Sequence, residues 1–285
     1  MISVSIGAVS DTGKLRAANE DSFVSEQNIL AVADGMGGHN AGEVASAMAV
    51  QLLRAAADQL AQVPGALVDA VTEINSAIFA AATSTAEQRG MGTTITAMAI
   101  SPASVAPQQV VVANVGDSRT YLVRAGELRQ ISIDHSYVQE LVTQGVITFD
   151  DARTHPRRNI VTRALGIDAT VLVDSWTLPV INHDRYILCS DGLVDEISNE
   201  EILAISILHS DPQQAAVNLV AAANSHGGRD NITVIVADFK ETDSLAPESV
   251  GTPDSTPITA AAPQKAKSIS RMLKKFKKKP RVNNG

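Results

Sequence analysis

Apolar and polar residues recur along the chain with two different periods, and these periods predict its secondary structure. Alternating or continuous runs rich in Val and Ile predict strands at 1–9, 22–33 (two short strands), 93–100, 109–115, 119–124, 170–178, 185–189 and 231–239. Alanine-rich stretches with helical spacing predict helices at 41–62, 64–83, 135–144, 198–208 and 212–225. Segment 145–168 is irregular and charged, which indicates a long surface loop or flap.

The order of these elements indicates the fold class. Strands outnumber helices, and the helices come in pairs between groups of strands instead of alternating strictly with them. This order favours stacked, largely antiparallel sheets with helices on the outside, an α+β arrangement.

Composition changes near residue 240 and divides the chain into three parts. We expect one folded domain over 1–240. Residues 241–264 are rich in Pro, Ser and Thr and cannot supply a core, which predicts a disordered linker. Residues 265–285 contain nine Lys and Arg and no acidic residue, so the other 264 residues carry a net charge of −17 within a whole-chain charge of −8. An acidic body and a basic tail indicate two roles.

The basic tail has a helical apolar stripe. Ile269, Met272, Leu273 and Phe276 fall at positions i, i+3, i+4 and i+7, with lysines around them. Such a segment suits an anionic membrane surface or an acidic partner. A disordered tail that aids solubility explains the same composition equally well, and docking on the chain's own acidic face is a third alternative.

Cysteine content and the apolar runs bear on location. Cys189 is the only cysteine, so no disulfide forms within the chain, which fits a reducing compartment. The first residues show no basic region followed by a long apolar one. No run approaches the ~18 uninterrupted apolar residues of a membrane span. We therefore expect a cytoplasmic protein, with peripheral membrane contact through 265–281 as an open alternative.

Four aspartates share one context, the junction between a buried strand and a turn. Asp34 follows ILAVA, Asp117 follows VVVANVG, Asp191 follows YILCS, and Asp230 precedes NITVIVA. In stacked sheets such ends can converge, and clustered carboxylates raise one another's pKa unless a cation neutralises them. Oxygen-only ligands favour Mg²⁺ or Mn²⁺ over Zn²⁺.

Other interpretations of these residues were weighed. Asp34–Gly35 and Asp191–Gly192 are also typical of hairpin turns, so either alone would not indicate a site. The six histidines have no zinc-site spacing, and one cysteine cannot build a zinc cage. The run Gly35–Asn40 approaches a dinucleotide-binding loop, but Asn40 replaces its third glycine.

Eight short motifs follow one another between about residues 4 and 239. They are Arg16-x-x-Asn19-Glu20-Asp21, Asp34-Gly35-Met36-Gly37-Gly38-His39, Gly92-Thr93-Thr94, Gly116-Asp117-Ser118-Arg119, Asp134-His135-Ser136, His155-Pro156, Ser190-Asp191-Gly192-Leu193 and Asp230-Asn231. In this order they resemble the bacterial branch of the type 2C (PPM) family of metal-dependent Ser/Thr protein phosphatases. The resemblance implies a four-layer αββα sandwich, two stacked antiparallel sheets flanked by helices.

The resemblance also implies a binuclear centre of Mn²⁺ or Mg²⁺. Asp34 would bridge two ions, the Gly35 carbonyl would bind one of them, and Asp191 and Asp230 would complete the centre. A hydroxide between the ions would attack the phosphorus of phosphoserine or phosphothreonine in line with the leaving oxygen.

Further roles follow from the same resemblance. Glu20 and Asp21 would hold metal-bound waters, and the planar guanidinium of Arg16 would clamp two phosphate oxygens. Asp117 and Asp191 match ligands of a third ion, and Asn159 takes the flap position that offers the remaining oxygen.

The general acid stays unassigned. Animal members of the family have a His where this chain has Met36, and His39 is as consistent with a structural role as with an acid. The flap arginines Arg153, Arg157, Arg158 and Arg163 fit substrate contact slightly better than a solvated loop.

The resemblance implies phosphorylated proteins as substrates, a bacterial Ser/Thr kinase as the enzyme opposed, no nucleic acid, and a monomer. Two other hypotheses stay open. A catalytically weak phosphoprotein-binding module is disfavoured because every acid of the centre is present. A small-molecule phosphoesterase would need a tight pocket in place of an open cleft.

Overall fold

The computed structural model describes residues 2–37, 41–84, 88–102, 104 and 107–241, and all structural statements concern these residues. The strands are β1 Ile2–Asp11, β2 Asp21–Glu26, β3 Ile29–Met36, β4 Gly92–Thr93, β5 Ile95–Ile100, β6 Gln109–Val115, β7 Arg119–Arg124, β8 Glu127–Gln130, β9 Asp174–Pro179, β10 Arg185–Cys189 and β11 Ile232–Glu241. The helices are α1 Ala41–Ala55, α2 Ala57–Gln62, α3 Leu67–Ala82, α4 Tyr137–Thr143, α5 Phe149–Thr154, α6 Asp191–Val194, α7 Asn199–Leu208 and α8 Pro212–His226, with a 3₁₀ turn at Pro64–Ala66 before α3.

The strands form two sheets. The first sheet has the order β1-β11-β10-β7-β8, and the second has the order β2-β3-β5-β6-β9, with β4 paired to β3. Every neighbouring pair is antiparallel. The prediction of two antiparallel sheets is confirmed.

The inner faces of the two sheets share one apolar core. Leu30 and Met98 from the second sheet pack in the same cluster as Tyr186 and Phe239 from the first. The Tyr186 and Phe239 rings meet edge to face, with centroids 5.6 Å apart. Strands β3, β5, β6, β10 and β11 are also covered outside, which explains why their sequences read as continuous apolar runs.

Helices cover both outer faces. Leu219 and Ala223 of α8 and Ile202 of α7 pack with Val234 and Val236 on the first sheet. On the other side, α1 contacts β2 and β3, and α3 contacts β6. The four-layer αββα sandwich is therefore confirmed.

Helix ends follow the predicted local chemistry on α8. Asp211 accepts a hydrogen bond from Gln214 N at 2.8 Å, and Pro212 occupies the first helical position, where no donor is required.

Several predicted boundaries were wrong. The single helix expected over 41–62 is broken at Ala56, where Asn28 Nδ2 donates to the carbonyl of Ala57 at 2.7 Å. The strand expected from 170 begins only at Asp174, because the preceding residues form an irregular loop.

Three short elements were not predicted. β8 follows a two-residue turn in which Ala125 and Gly126 have φ of 52° and 80°. α5 lies inside the flap and begins with a reciprocal capping box between Thr148 and Asp151. α6 has four residues directly after β10.

The segment Pro64–Ala82 is long and apolar enough to cross a membrane by length and composition alone. In the fold it behaves as the core helix of a sandwich. Leu67, Val71, Ile74 and Ile78 are buried along one stripe against the second sheet, so burial inside the protein accounts for the apolar composition.

The predicted linker at 241–264, apart from Glu241, and the basic tail at 265–285 lie outside the described residues, as does His39. The domain division of the chain beyond Glu241 therefore stays a prediction.

Candidate active site

Five predicted aspartates lie at strand ends of the two sheets. Asp34 is inside β3, and Asp21 is its register partner on β2. Asp117 lies two residues after β6, Asp191 opens α6 two residues after β10, and Asp230 lies two residues before β11. Neither Asp-Gly pair forms a hairpin turn, so that alternative is wrong for both.

Two motifs hold the backbone of Asp34. Thr93 Oγ1 and Thr94 N donate to the Asp34 carbonyl at 2.8 and 2.9 Å, and Asp34 N donates to Thr94 Oγ1 at 3.1 Å. Thr94 Oγ1 in turn lies 2.7 Å from Ser118 Oγ. The threonine motif and the motif around residue 118 thus position the central aspartate.

The space around Gly35 leaves no room for a side chain. A Cβ at this position would lie 2.2 Å from the Gly42 carbonyl oxygen and 2.6 Å from the Glu20 carbonyl oxygen. Gly35 N also donates to Glu20 O at 3.2 Å. A side chain here would therefore push β3 away from α1 and from the loop that carries Glu20.

The carboxyl groups of Asp34 and Asp191 lie close enough for each to influence the pKa of the other. Each keeps some exposed surface, but the surrounding protein desolvates both, and this burial raises the pKa of each well above its usual range. Negative charge on Asp21 and Asp117 adds to the effect. Without a cation, the pair is stable only if a proton stays between the carboxyls.

Asp21 bridges the two sheets. Its Oδ2 accepts hydrogen bonds from Ser190 Oγ at 2.8 Å and from Thr233 Oγ1 at 2.7 Å. Burial raises the pKa of Asp21 to about 6, although these two hydrogen bonds oppose the shift. Asp21 Oδ1 and Asp191 Oδ1 are buried and accept no hydrogen bond from the described residues. Buried carboxylate oxygens without a donor call for a proton, a water or a cation.

Arg16 lies at the mouth of the site. Its Nη2 donates to Asp230 Oδ2 at 2.6 Å, and its side chain is 52% exposed while that of Asp230 is 29% exposed. The guanidinium is therefore open to a phosphate arriving from solvent. This open mouth disfavours the tight pocket that a small-molecule phosphoesterase would need.

Asn231 organises the loop that carries Arg16 and Glu20. Its Nδ2 donates to Thr12 O at 2.9 Å and to Ala18 O at 3.0 Å, and its Oδ1 accepts from Glu20 N at 2.8 Å. Glu20 is partly buried, and this burial raises its pKa. The motif Asp230-Asn231 identified this residue, but the sequence did not indicate its positioning role.

A cavity between the flap and α6 brings Asn159 together with Asp117 and Asp191. Burial is the main cause that raises the pKa of Asp117 to about 7, and the carboxylate of Asp134 adds to it. Asp195 lines the same cavity and was missed. It follows Asp191 by four residues, so the i, i+4 spacing on one helical face was a usable signal.

The flap arginines Arg158 and Arg163 form ion pairs and hydrogen bonds with other parts of the same chain. Arg158 Nη2 donates to Asp195 Oδ2 at 3.1 Å. Arg163 Nη1 donates to Asp174 Oδ1 at 2.9 Å and to the Leu172 carbonyl at 3.1 Å. These contacts hold the flap and the following loop in place, and substrate contact by the flap arginines stays a prediction.

The donor set fits a hard divalent cation, because carboxylate and carbonyl oxygens are its only members. Among the described residues, no three acidic, His or Cys side chains already converge on one point. Asp230 is paired with Arg16 in this structure, and the Asp34 carboxyl lies beside that of Asp191.

Comparison with known proteins identifies relatives over most of the chain. The family described as Protein phosphatase 2C matches residues 16–223. Serine/threonine phosphatase stp of Listeria welshimeri is 42% identical over 239 residues, which cover 80% of this chain and 93% of that protein. Serine/threonine protein phosphatase PstP of Mycobacterium tuberculosis is 39% identical over 288 residues, which cover 96% of this chain and 53% of PstP.

Solved structures agree with this result. The crystal structure of Mycobacterium tuberculosis PstP/Ppp superposes with a TM-score of 0.77 at 41% identity, covering 84% of this chain and 100% of that one. A second structure, the catalytic domain of PstP in complex with two manganese ions, has a TM-score of 0.76 at 39% identity, covering 85% and 100%.

Proposed function

This chain belongs to the protein phosphatase 2C family, and on that premise we propose that its carboxylate cluster is the centre at which phosphoserine and phosphothreonine are hydrolysed. The chain is a metal-dependent protein Ser/Thr phosphatase, a hydrolase that uses Mn²⁺ or Mg²⁺. The observation that supports this centre is the pair of buried carboxylate oxygens without a partner, Asp21 Oδ1 and Asp191 Oδ1.

We assign the ligands of two ions to Asp34, the Gly35 carbonyl, Asp191 and Asp230. When bound, the ions supply the positive charge that neutralises phosphate oxygens and activates water for attack on phosphorus. Asp21 and Glu20 orient water at the centre in this proposal: the Asp21 carboxylate is held by the Ser190 hydroxyl, and the backbone of Glu20 is held by its N–H bond to Asn231 Oδ1.

Arg16 binds the phosphate in this proposal. The Arg16 guanidinium donates to Asp230 in this structure. A phosphate bound through two of its N–H groups would compete with Asp230 for the same donors. Substrate binding and metal binding would therefore favour each other, because Asp230 as a metal ligand would leave the Arg16 guanidinium free for phosphate.

A third ion is proposed in the flap cavity, with Asp117, Asp191 and Asn159 as its ligands. Asn159 contributes a neutral oxygen, so this site holds its ion less tightly than one with a third carboxylate would.

The test is hydrolysis of a phosphothreonine peptide by the full chain with Mn²⁺, with Mg²⁺ and with EDTA. We expect turnover with metal and none with EDTA. Asp34→Asn should lower kcat/KM by orders of magnitude while the protein stays folded, whereas Asp58→Asn, an exposed aspartate on α2, should change nothing. EDTA-insensitive turnover, or near-normal turnover in Asp34→Asn, contradicts the proposed centre.

The cellular role is the finer part of the proposal. The relatives named as Ser/Thr phosphatases and the relative named as a protein phosphatase support phosphorylated proteins as substrates. We propose that this chain opposes a bacterial Ser/Thr kinase in the cytoplasm, acting as a monomer without nucleic acid.

The basic tail would add membrane contact, through its apolar stripe and lysines. Flotation with liposomes of anionic and of neutral lipid tests this role for the chain with and without 265–285. Retention of the full chain alone on anionic liposomes is expected, and equal partitioning of both forms contradicts it.

A further inference from the structure

An irregular loop over residues 163–173 follows the flap, and we refer to it as the groove loop. One end is joined to the sheet edge beside the site. Leu165 N donates to Thr93 O at 2.8 Å, and Thr93 N donates to Leu165 O at 3.1 Å, so Leu165 continues the pairing of β4.

Two further contacts fix the groove loop. Buried Asn75 of α3 accepts from Gly166 N at 2.9 Å and donates to Asp168 O at 3.1 Å. Arg163 Nη1 donates to the Leu172 carbonyl at 3.1 Å. The loop is therefore held at its start, middle and end although it has no regular secondary structure.

The groove loop presents large apolar side chains to water. Ile167 is 46% exposed and Leu172 is 70% exposed. Together with Met36, Val161 and neighbouring loop residues they line a groove of about 410 Å³. Ile167 also packs against Gly92, but the exposed parts of both side chains remain in contact with water, and a patch of this kind is typical of an interaction site.

The groove lies beside the metal centre. Thr93 is the register partner of Gly35, and Leu165 is the bridge partner of Thr93. Two strand spacings of about 4.8 Å place buried Leu165, whose chain neighbour Ala164 lines the groove, about 10 Å from Gly35. An extended peptide advances about 3.3 Å per residue, so this distance corresponds to about two to four residues.

The charge of the groove favours an apolar occupant. Arg163 is the cation among its lining residues, and its guanidinium already binds Asp174 and the Leu172 carbonyl. Asp168 is exposed at the rim and would repel an acidic side chain. The groove is also continuous with the site, because Met36 ends the strand that carries Asp34.

We propose that this groove binds an apolar side chain two to four residues from the phosphorylated residue of the substrate protein, and that Ile167 and Leu172 thereby determine sequence preference. The proposal rests on the proposed function, since it requires the substrate polypeptide to lie across the opening of the carboxylate site, where Arg16 is located.

The test uses phosphothreonine peptides of polar background in which one Leu is moved through positions −4 to +4, with p-nitrophenyl phosphate as a small substrate that cannot reach the groove. We expect the full chain with Mn²⁺ to prefer Leu at two to four residues on one side, by about tenfold in kcat/KM. The double variant Ile167→Ser/Leu172→Ser should lose this preference and hydrolyse the small substrate as before. Leu208→Ser, 77% exposed on α7, is the matched control and should keep the preference.

Equal kcat/KM for all peptides of the series, or a preference for Leu that survives in the double variant, overturns the groove proposal. In either case, hydrolysis of the small substrate shows that the proposed function stands. Loss of all Mn²⁺-dependent hydrolysis by the unmodified chain would instead contradict the proposed function. A dimer that becomes a monomer in the double variant would identify a second copy as the occupant and also overturns the proposal.

Discussion

Asp21 shows at the scale of one residue why the site needs a cation. Its two oxygens have opposite surroundings, because one accepts from two hydroxyls and the other accepts from none of the described residues. A carboxylate buried in this way is costly unless its charge is neutralised. Protonation or a bound cation are the two available solutions, and they compete.

This competition predicts how stability depends on pH. In EDTA, burial raises the pKa of Asp21 to about 6 and the pKa of Asp117 to about 7 in the folded protein. In the unfolded chain the pKa of an aspartate is about 3.9. The folded state binds more protons between these values, so the free energy of unfolding should fall as pH rises from about 4 to 7, by about 1.4 kcal/mol per pH unit for each extra proton.

Urea unfolding at several pH values in EDTA measures this slope. Asp117→Asn should flatten it, and the exposed control Asp58→Asn should not. A free energy of unfolding that rises over the same range would mean that the folded carboxyls are not protonated.

Sequence could indicate the main aspartates because each adjoins a strand that is recognisable from its apolar run. It could not indicate their partners. Ser190 and Thr233 bind Asp21 across 169 and 212 residues of chain, and no local pattern encodes such a contact. Asp195 was within reach of a spacing argument. The ion pair of Arg163 with Asp174 was not, because a loop arginine looks the same in sequence whether it faces solvent or a neighbouring loop.

At the scale of elements, α6 and the loop before β11 are joined by one ion pair. Glu196 follows α6, and its side chain is only 2% exposed. Its Oε1 accepts from Arg229 N and Nε, both at 2.9 Å, and its Oε2 accepts from Arg229 Nη2 at 3.0 Å. The pair thus fixes the separation between Asp191 and Asp230.

Glu196→Gln should therefore weaken metal binding. We expect the Mn²⁺ concentration for half-maximal activity to rise about tenfold, while kcat at saturating Mn²⁺ changes little because no group that touches substrate is lost. Activity titrated with Mn²⁺ measures this, with exposed Glu127→Gln on β8 as the control. An unchanged Mn²⁺ midpoint would show that Glu196 serves the fold alone.

Asn75 connects α3 to the groove loop and should matter for stability. Asn75→Ala leaves the Gly166 N–H and the Asp168 carbonyl without their partner, so we expect a loss of about 2–4 kcal/mol in the free energy of unfolding. The surface variant Asn218→Ala, which loses only a bond to Gln214 O, should cost under about 0.5 kcal/mol. Equal urea midpoints for the two variants would contradict this role.

Long periodic elements were predictable, and short ones were not. The strand at 109–115 and the helix start at Pro212 were identified because pattern and capping agree there. α6, α5 and β8 have four to six residues, which is too few for a period to show. Tertiary contacts decide such segments, as the break at Ala56 also shows.

At the scale of the whole molecule, the site lies across the two sheets. Asp21 and Asp34 come from the second sheet, whereas Asp191 and Asp230 adjoin strands of the first. A shared ion would therefore link the two halves of the sandwich.

Mn²⁺ should accordingly stabilise the entire domain. At about 100 times Kd it should add about 2.7 kcal/mol to the free energy of unfolding, which raises Tm by about 5–10 °C for a domain of this size. Calorimetry with Mn²⁺ and with EDTA measures the shift, and Asp34→Asn should abolish it. If Tm of the unmodified chain is the same with Mn²⁺ and with EDTA, the carboxylates do not bind the ion together.

The buried position of Cys189 has a practical consequence. The only cysteine of the chain lies on β10 between β7 and β11, is fully buried, and has a pKa that burial raises to about 12. Cys189 packs on the outer face of the first sheet with Leu193 of α6 and Leu219 of α8, so a thiol reagent can reach it only when these helices leave the sheet. The rate at which the native chain loses its one sulfhydryl to such a reagent therefore measures how often the helical layer over the first sheet opens.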